Sequence, residues 1–164
     1  MVMIRVLVLY DTRGGNTEKM ALAAMEGITE VEEVEAVLKK VDDVELDDLE
    51  GADGIIIGSP TFYGLMSGKL KTLIDKSVEI HGKLAGKVGG AFTSSGGTAS
   101  GAETTLLSIL EAMLIHGMIV QGRFEHEHYG AAAVGAPDKK AVESCKDLGR
   151  SVASLAVKVG KRKA

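Results

Sequence analysis

Cysteine and tryptophan are almost absent from this sequence of 164 residues, which has one cysteine and no tryptophan. A single thiol excludes an intramolecular disulfide, and a chain of this length buries enough apolar surface to fold without one. Cys145 falls on the same helical face as Leu148 and Val152, so we expect a buried thiol rather than a nucleophile. The sequence therefore predicts one domain over residues 1–164 that folds without a disulfide or a metal.

Long apolar runs and long charge runs are absent as well. No stretch approaches the roughly 20 apolar residues that a membrane-spanning helix requires, and the amino-terminal apolar run leads into a polar loop without a cleavage site. The formal net charge is −4, and the charges do not form the basic footprint of a nucleic-acid-binding protein. We expect a cytoplasmic protein that neither inserts into membranes nor binds nucleic acid.

The most informative stretch is a polar, glycine-containing loop that follows the apolar run from Met1 to Tyr10 and precedes a helical pattern. The loop contains Thr12, Arg13, Gly14, Gly15, Asn16 and Thr17. At a strand-to-helix junction, backbone N–H groups and the positive end of the helix dipole point at one spot, and glycines let the backbone approach an anion closely. This predicts a phosphate cradle; the alternative is an ordinary glycine-rich turn capped by Thr17 or Asn16.

The spacing of the loop excludes two common phosphate motifs. An ATP-type loop needs a lysine before the final threonine, and the dinucleotide fingerprint needs glycines that are not adjacent. The loop resembles instead the phosphate loop of flavodoxins, with Thr12, Gly15 and Thr17 at the matching positions of [ST]-x-[ST]-G-x-T. Gly14 stands where a hydroxyl is usual in that pattern.

Hydrophobic periodicity predicts five strands that alternate with helices. The strands are the first apolar run, Val34 to Val41, Gly54 to Gly58, Val88 to Thr93 and Met118 to Val120. The helices are one ending near Gly27, a short helix or loop from Asp42 to Glu50, one with spacing from Leu65 to Ile74, one from Ala102 to Ile115 and one from Pro137 to about Val159. Strands that are apolar on both faces predict an α/β protein with a parallel sheet covered on both sides.

In such a sheet, the loops after the first, third and fourth strands should converge on a ligand. The second of these loops contains Pro60, Thr61, Phe62, Tyr63 and Gly64, and its aromatic rings could cover a planar ligand. The alternative is a helix entry capped by Ser67 with both rings folded onto the core.

The third loop is built from small, mostly polar residues. It begins with Thr93, Ser94, Ser95, Gly96 and Gly97 and continues to Gly101. Such a loop offers N–H and hydroxyl groups to the polar rim of a ligand. The alternative, a mobile linker, is hard to reconcile with a position between a core strand and a core helix.

Four segments resemble one branch of the flavodoxin-fold proteins. They are S-P-T-F-Y-G-L-M-S-G-K-L-K-T-L-I-D, A-F-T-S-S-G-G-T-A-S-G-A-E-T-T-L-L-S, L-I-H-G-M-I-V and H-Y-G-A-A-A-V-G-A-P. The branch is that of the tryptophan-repressor-binding-protein A-like flavoproteins, the type IV NAD(P)H:quinone oxidoreductases. The resemblance runs through nearly the whole chain in order.

The resemblance implies a flavodoxin-like three-layer sandwich, with a five-stranded parallel sheet of order 2-1-3-4-5 and helices on both faces. It implies FMN as cofactor, NAD(P)H as co-substrate, a quinone as acceptor, and a homodimer or homotetramer. The cofactor-binding residues expected are Thr12, Arg13, Gly14, Gly15, Asn16, Thr17, Pro60, Thr61, Phe62, Tyr63, Gly64, Thr93, Ser94, Ser95, Gly96, Gly97 and, as a cover, Tyr129.

His116 has two interpretations. The resemblance implies a catalytic residue that reaches the flavin from a neighbouring subunit or from the sheet edge of its own chain. The residues themselves are equally well explained by a helix end, where His116 complements the negative end of the dipole and Gly117 supplies a left-handed cap.

The segment Glu125-His126-Glu127-His128 could suggest a metal site. Two histidines are too few for a stable site, and no other histidine or cysteine is near in the sequence. We expect an exposed loop and no bound metal.

Two functions remain open from the sequence. One is a two-electron oxidoreductase from NAD(P)H to a quinone; the other is a flavodoxin-type carrier that exchanges single electrons with a redox protein partner. A low-potential carrier surrounds its flavin with acids, whereas Ser59 to Gly68 and Ser94 to Gly101 contain none. This favours the enzyme, although the chain is shorter than typical members of the branch and lacks their tryptophan beside the flavin.

Overall fold

The structure, a computed structural model, describes residues 3–161. Its strands are β1 (Ile4–Tyr10), β2 (Val34–Lys40), β3 (Gly54–Pro60), β4 (Val88–Ser95), β5 (Ile119–Val120) and β6 (Ala131–Val134). Its α-helices are α1 (Asn16–Thr29), α2 (Leu46–Gly51), α3 (Gly68–Lys76), α4 (Ala102–Ile115) and α5 (Lys139–Lys161). Two short 3₁₀ helices follow β2 and α3, at Val41–Asp43 and Ser77–Ile80.

The strands form a parallel sheet of order β2-β1-β3-β4-β5, with β6 also paired to β4. The flavodoxin-like strand order predicted from the sequence is therefore confirmed. The chain reverses its direction of travel across the sheet after β2, so the crevice at the carboxyl ends of β1 and β3 is where an open α/β sheet places its ligand.

The fifth position of the sheet is filled by two separate strands. β5 pairs only with Val88 and Gly89 at the start of β4, whereas β6 pairs with Phe92 to Ser95 at its end. Residues 121–130 leave the sheet between them. The sequence prediction did not include β6, because its three alanines carry neither the β-branched nor the aromatic signal of a strand.

Helices cover both faces of the sheet. Alternate β1 side chains, Val6 and Val8 among them, pack with α1 and α5 into one apolar cluster. The residues between, Leu7 and Leu9, pack with α2, α3 and α4 into a second cluster on the other face. Strands β3 and β4 are buried along their whole length, as expected for the centre of a parallel sheet.

Close contact between helices α1 and α5 depends on two glycines. A Cβ at Gly27 would lie 2.0 Å from the carbonyl oxygen of Lys146, and one at Gly149 would lie 2.1 Å from that of Ala24. Cys145, on the same stretch of α5, is fully buried, and burial raises the pKa of its thiol to about 12. The thiol is therefore a packing group, as predicted.

No helix within residues 3–161 is both long enough and apolar enough to cross a membrane.

Candidate functional site

The loop after β1 presents an open helix start. Gly15 precedes α1 with φ of 90°, and no side chain caps the first turn. A Cβ added at Gly14 or at Gly15 would have no contact within 4 Å, so the space beside both residues is open. Because the first N–H groups of a helix have no acceptor inside it, the N–H groups of α1 remain directed at this space. The capped turn considered as an alternative is thus not what forms, and the opening suits an anion.

The strand end beneath this loop holds a buried carboxylate that the sequence analysis did not single out. Asp11 is 7% exposed, its N–H donates to the Gly58 carbonyl at 3.0 Å, and its carboxylate accepts from the Thr12 N–H at 2.9 Å. The hydroxyl oxygen of Thr12 in turn accepts from the Gly15 N–H at 3.0 Å. Asp11 therefore fixes the backbone conformation at the start of this loop. Only its position directly after a strand could have indicated this.

Tyr10, one residue earlier, is also fixed. Its hydroxyl donates to the Glu18 carboxylate at 2.8 Å, which joins the end of β1 to the first turn of α1. Burial, followed by this bond to Glu18, raises the pKa of Tyr10 to about 12, so the phenol stays protonated. This contact holds both ends of the cradle at a fixed separation.

The loop after β3 forms a tight turn with exposed aromatic rings. Phe62 and Leu65 exchange two backbone hydrogen bonds of 3.1 Å, and the residues between them, Tyr63 and Gly64, have φ of 50° and 76°. Positive φ at both central positions is typical of a type I′ turn. Tyr63 is fully exposed and Phe62 is 37% exposed. The rings thus do not fold onto the core.

The helix entry proposed for the same segment does form. The Ser67 hydroxyl accepts from the Leu70 N–H at 3.3 Å and caps α3. The Ser67 N–H donates to the buried Ser59 hydroxyl at 2.9 Å, so the loop returns to the strand it left. The turn with Phe62 and Tyr63 therefore projects from a rigid base.

The loop after β4 lies against this turn. A Cβ at Gly101 would stand 2.6 Å from the Gly64 Cα, so the two backbones are in contact. Within the loop, the Ser95 hydroxyl donates to the Gly97 carbonyl at 3.0 Å. These contacts define the conformation of the loop, which is therefore not a mobile linker.

Hydrogen bonds join the three loops to one another. The hydroxyls of Thr17 and Ser94 are 2.9 Å apart, the Thr61 N–H donates to the Ser94 carbonyl at 2.8 Å, and the hydroxyls of Thr61 and Thr93 are 2.9 Å apart. The convergence of the three loops, expected from the sequence, is therefore seen in the structure. It places the uncapped start of α1, the aromatic turn and the small polar loop around one space.

The segment between β5 and β6 is held against α5. The Arg123 guanidinium donates to the Ser144 hydroxyl at 2.8 Å and lies 3.5 Å from the Glu127 carboxylate, which also bonds to Ser144. His128 Nδ1 donates to the Arg123 carbonyl at 2.6 Å. In the Glu125-His126-Glu127-His128 segment, Glu127 and His128 are thus bonded to other residues of the protein. Among residues 3–161, no three histidine, cysteine or acidic side chains are grouped as a metal site.

Tyr129 follows this segment and is 47% exposed. Gly130 next to it has φ of 145°, and a Cβ there would lie 2.1 Å from the Ala91 carbonyl oxygen. The backbone therefore passes directly over β4 before entering β6. Phe124 is 89% exposed on the same segment.

The structure does not bring His116 to the converging loops of its own chain. α4 starts at the loop after β4 and ends at His116, about 20 Å away at about 1.5 Å per helical residue. Gly117 has φ of 75°, so it supplies the left-handed cap that the helix-end interpretation predicted. This placement does not support contact with a flavin in the same chain, and the catalytic role implied for His116 stays a prediction.

The surroundings of His116 explain its protonation state. The Ser77 hydroxyl donates to the Ile74 carbonyl at 2.6 Å, so it accepts from His116 Nε2 at 2.9 Å. The buried Nδ1 has no partner among the described residues. Burial, with a smaller contribution from His81, lowers the pKa of His116. At neutral pH these surroundings favour the neutral imidazole, and the bond to Ser77 places its proton on Nε2.

The fold and the converging loops define a flavodoxin-like protein. A solved flavodoxin, WrbA-like protein from Agrobacterium tumefaciens matches with a TM-score of 0.82 and 26% sequence identity, over 94% of this chain and 98% of that one. The model of the NADPH-dependent FMN reductase family matches residues 4–128, and the chain belongs to that family. FMN, predicted from the sequence, is thus its cofactor, and the uncapped cradle fits a phosphate.

Two relatives carry different names. A flavodoxin from Aquifex aeolicus is 41% identical and aligns with 97% of this chain and 91% of its own length. An NAD(P)H dehydrogenase (quinone) from Archaeoglobus fulgidus is 34% identical and aligns with 96% of this chain and 100% of its own length. The chain is therefore an FMN oxidoreductase related to both kinds of protein.

Proposed function

We propose that this protein transfers two electrons from NAD(P)H to a quinone. FMN, when bound, supplies the hydride chemistry that side chains lack. The role of the protein is to hold the cofactor, to shape the space in front of it and to set the charge around it.

The cradle is proposed to hold the phosphate of FMN. The N–H groups of Gly14, Asn16 and Thr17 would donate to it, with the hydroxyls of Thr12 and Thr17 and the side chains of Arg13 and Asn16 at its edge. These donors need no lysine, since the start of a helix favours an anion by itself. The convergence of three hydrogen-bonded loops carries this part of the proposal.

The remaining two loops are proposed to enclose the ring. Pro60, Thr61, Phe62, Tyr63 and Gly64 would lie along it, and the segment from Thr93 to Gly97 would offer N–H and hydroxyl groups to its edge and to the ribityl chain. Tyr129 would cover the opening. These assignments follow from the positions of the loops and from the family resemblance.

The exposed aromatic turn is the main observation that carries the proposal of small-molecule substrates. Phe62 and Tyr63 stand out from a base fixed by Ser59, Ser67 and Leu65. Flat, exposed rings at the mouth of a site can stack on a nicotinamide or a quinone. Their exposure shows that the space in front of them is accessible.

Charge around the loops supports the same function. The loops after β3 and β4 contain no acid, as the sequence shows. The structure adds Asp11, but its carboxylate is turned to the Thr12 N–H. Lys69, at the start of α3, binds Asp42 at 2.7 Å, and its pKa is raised first by that bond and also by Asp11. The two loops proposed to enclose the ring therefore add no acid that would disfavour a reduced, anionic flavin, and the carboxylates of Asp11, Glu18 and Asp42 are each bonded to a neighbouring group.

A one-electron carrier is the second candidate, and a specific observation favours it. The relative with 41% identity is named a flavodoxin. A carrier would bind a redox protein over the same exposed rings and would not bind NAD(P)H.

We also retain, as proposals, a cytoplasmic location and a homodimer or homotetramer. In such an assembly His116 could act only at the site of a neighbouring subunit, since it lies at the far end of α4 from its own. Light scattering over a range of protein concentrations tests the assembly, and a strict monomer that reduces quinone would contradict it.

Steady-state turnover tests the function. The FMN-loaded protein should oxidise NADH or NADPH when a benzoquinone is present, with one FMN bound per chain. Phe62→Leu/Tyr63→Leu should weaken turnover more than a matched change at exposed Phe124. Absence of nucleotide oxidation with every quinone offered would contradict the enzyme.

A further inference from the structure

A long apolar groove separates α3 and its following 3₁₀ helix from α4. The groove has a volume of about 910 Å³, within the range of small-molecule sites. Its apolar lining includes Leu65, Met66, Ile74, Val78, Ala112 and Ile115. Leu65, Val78 and Ile115 are 56%, 71% and 82% exposed, so much apolar surface faces the groove opening.

One end of the groove is part of the aromatic turn. Leu65 closes that turn through its two backbone bonds to Phe62, and it also lines the groove. The next residue, Met66, donates its N–H to the Ser108 hydroxyl on α4 at 3.1 Å. A molecule stacked on the exposed rings could therefore extend past Leu65 into the groove without crossing another element. From Ser108 to His116 the groove continues for about 12 Å of helix.

Five polar side chains of the groove, those of Ser77, Ser108, His116, Lys71 and Asp75, are bonded within the protein, and His81 and Glu111 also line it. The Ser108 hydroxyl donates to the Thr105 carbonyl at 2.7 Å and accepts from Met66, and the Ser77 hydroxyl donates to Ile74 and accepts from His116. Lys71 and Asp75 at the rim pair with each other at 2.6 Å. A nucleotide would find few free partners here, whereas a hydrocarbon chain needs none.

We propose that the groove binds the hydrocarbon tail of a lipophilic quinone whose ring is reduced at the converging loops. This inference rests on the proposed function and names its substrate class: prenyl or alkyl quinones rather than tail-less ones. The turn residue Leu65 would contact the tail where it leaves the ring, and Ala112 would lie beneath it.

The test compares quinones with one ring and different tails. With the FMN-loaded protein, KM should fall at least about tenfold from a tail-less dimethoxy-methylbenzoquinone to its two-prenyl or decyl analogue, while kcat stays similar. Ala112→Phe, which fills the groove, should remove this dependence and leave kcat/KM for the tail-less quinone unchanged. Leu22→Phe changes a half-exposed leucine of α1 outside the groove. This variant is the matched control and should keep the dependence of KM on the quinone tail.

A binding measurement separates this proposal from the proposed function. Equilibrium dialysis of the oxidised, FMN-loaded protein without nucleotide should show tighter binding of decylquinone than of the tail-less compound, and Ala112→Phe should abolish the difference. If tails bind but no quinone is reduced, the groove proposal stands and the enzyme proposal fails. Equal binding of both compounds overturns the groove proposal. So does a change of oligomeric state caused by Ala112→Phe with no loss of tail preference, because a second copy would then occupy the groove.

Discussion

The hydroxyls of Thr17 and Ser94 lie 2.9 Å apart, although 77 residues separate them in the sequence, and both side chains are buried. The contact joins the first turn of α1 to the end of β4. It therefore fixes the phosphate cradle relative to the loop proposed to meet the flavin edge. Loss of this bond should affect both folding stability and FMN affinity.

Thr17→Val tests this relationship. The change keeps the shape of the side chain but leaves the buried Ser94 hydroxyl without its partner, which costs about 1–3 kcal/mol of unfolding free energy. Urea denaturation measures the loss, and fluorescence titration should show weaker FMN binding. Thr17→Ser is the control and should retain most of the folding stability and most of the FMN affinity. A Thr17→Val protein with the stability and FMN affinity of the parent would contradict the role of this contact.

Gly15→Asp tests the charge requirement of the cradle. A carboxylate beside the proposed phosphate site should lower FMN affinity by at least about a hundredfold, because like charges repel strongly in a partly buried site. Gly15 has φ of 90°, so any side chain carries a conformational cost there. Gly15→Asn shares that cost and tolerates the conformation, but adds no charge. Equal FMN affinity of the two variants would place the phosphate elsewhere.

Gly58→Ala tests the packing behind the site. A Cβ at Gly58 would lie 2.1 Å from the ring of the fully buried Phe92 on β4, so the ring must move, at a cost of about 1–3 kcal/mol of unfolding free energy. Gly68→Ala, with no atom within 4 Å, is the control and should be nearly neutral.

A double-mutant cycle identifies the cause of that cost. Phe92→Leu replaces the ring with a shorter, branched side chain, so Gly58→Ala should be less destabilising in that background by about 0.5–3 kcal/mol. Denaturation of the four proteins measures the coupling. Additive effects would show that the ring is not what excludes a Cβ at Gly58.

The sequence predicted the main layout of this fold because its central strands are short, continuous apolar runs, whereas its helices show apolar residues at helical spacing. The helix from Ala102 to Ile115 was predicted with the bounds observed. The division of the fifth sheet position between β5 and β6 was not predicted. The segment from Ala131 to Val134 has little strand propensity of its own and joins the sheet by pairing with β4.

The convergence of the three loops could be predicted because each loop is defined by local chemistry, whereas positions that depend on tertiary structure could not be predicted. Which loop residues bind FMN stays a prediction. The three loops were recognisable from glycines, hydroxyls and aromatic residues that follow strands. The distance between His116 and these loops follows from the direction of α4, which the residues around His116 do not encode. The burial of Asp11 likewise depends on its neighbours across the sheet, such as Gly58.

The protonation of His116 predicts a pH dependence of stability. Its pKa is lowered in the folded protein, from an ordinary value of 6.5, first by burial and then by His81. Below pH 6.5 the unfolded chain therefore binds a proton more readily than the folded protein does. The stabilising contribution of neutral His116 should be present above that pH and should be lost as the pH falls towards the folded pKa.

Urea denaturation at several pH values between neutral and mildly acidic measures this effect. His116→Gln, which retains a donor for Ser77 and cannot titrate, should flatten the decline in unfolding free energy. His126→Gln, at an exposed histidine, is the control and should leave the decline unchanged. Identical pH profiles for the parent and His116→Gln would contradict the assignment.

Anaerobic stopped-flow spectroscopy tests the central claim, the transfer of electrons from NAD(P)H to a quinone, most directly. The FMN-loaded protein is mixed first with NADPH or NADH and then with a benzoquinone. The account predicts that one nucleotide rapidly bleaches the visible flavin absorbance and that the quinone restores it, at rates that account for steady-state turnover. Flavin that stays oxidised with both nucleotides, yet exchanges electrons readily with a low-potential redox protein, would contradict the enzyme and identify a carrier.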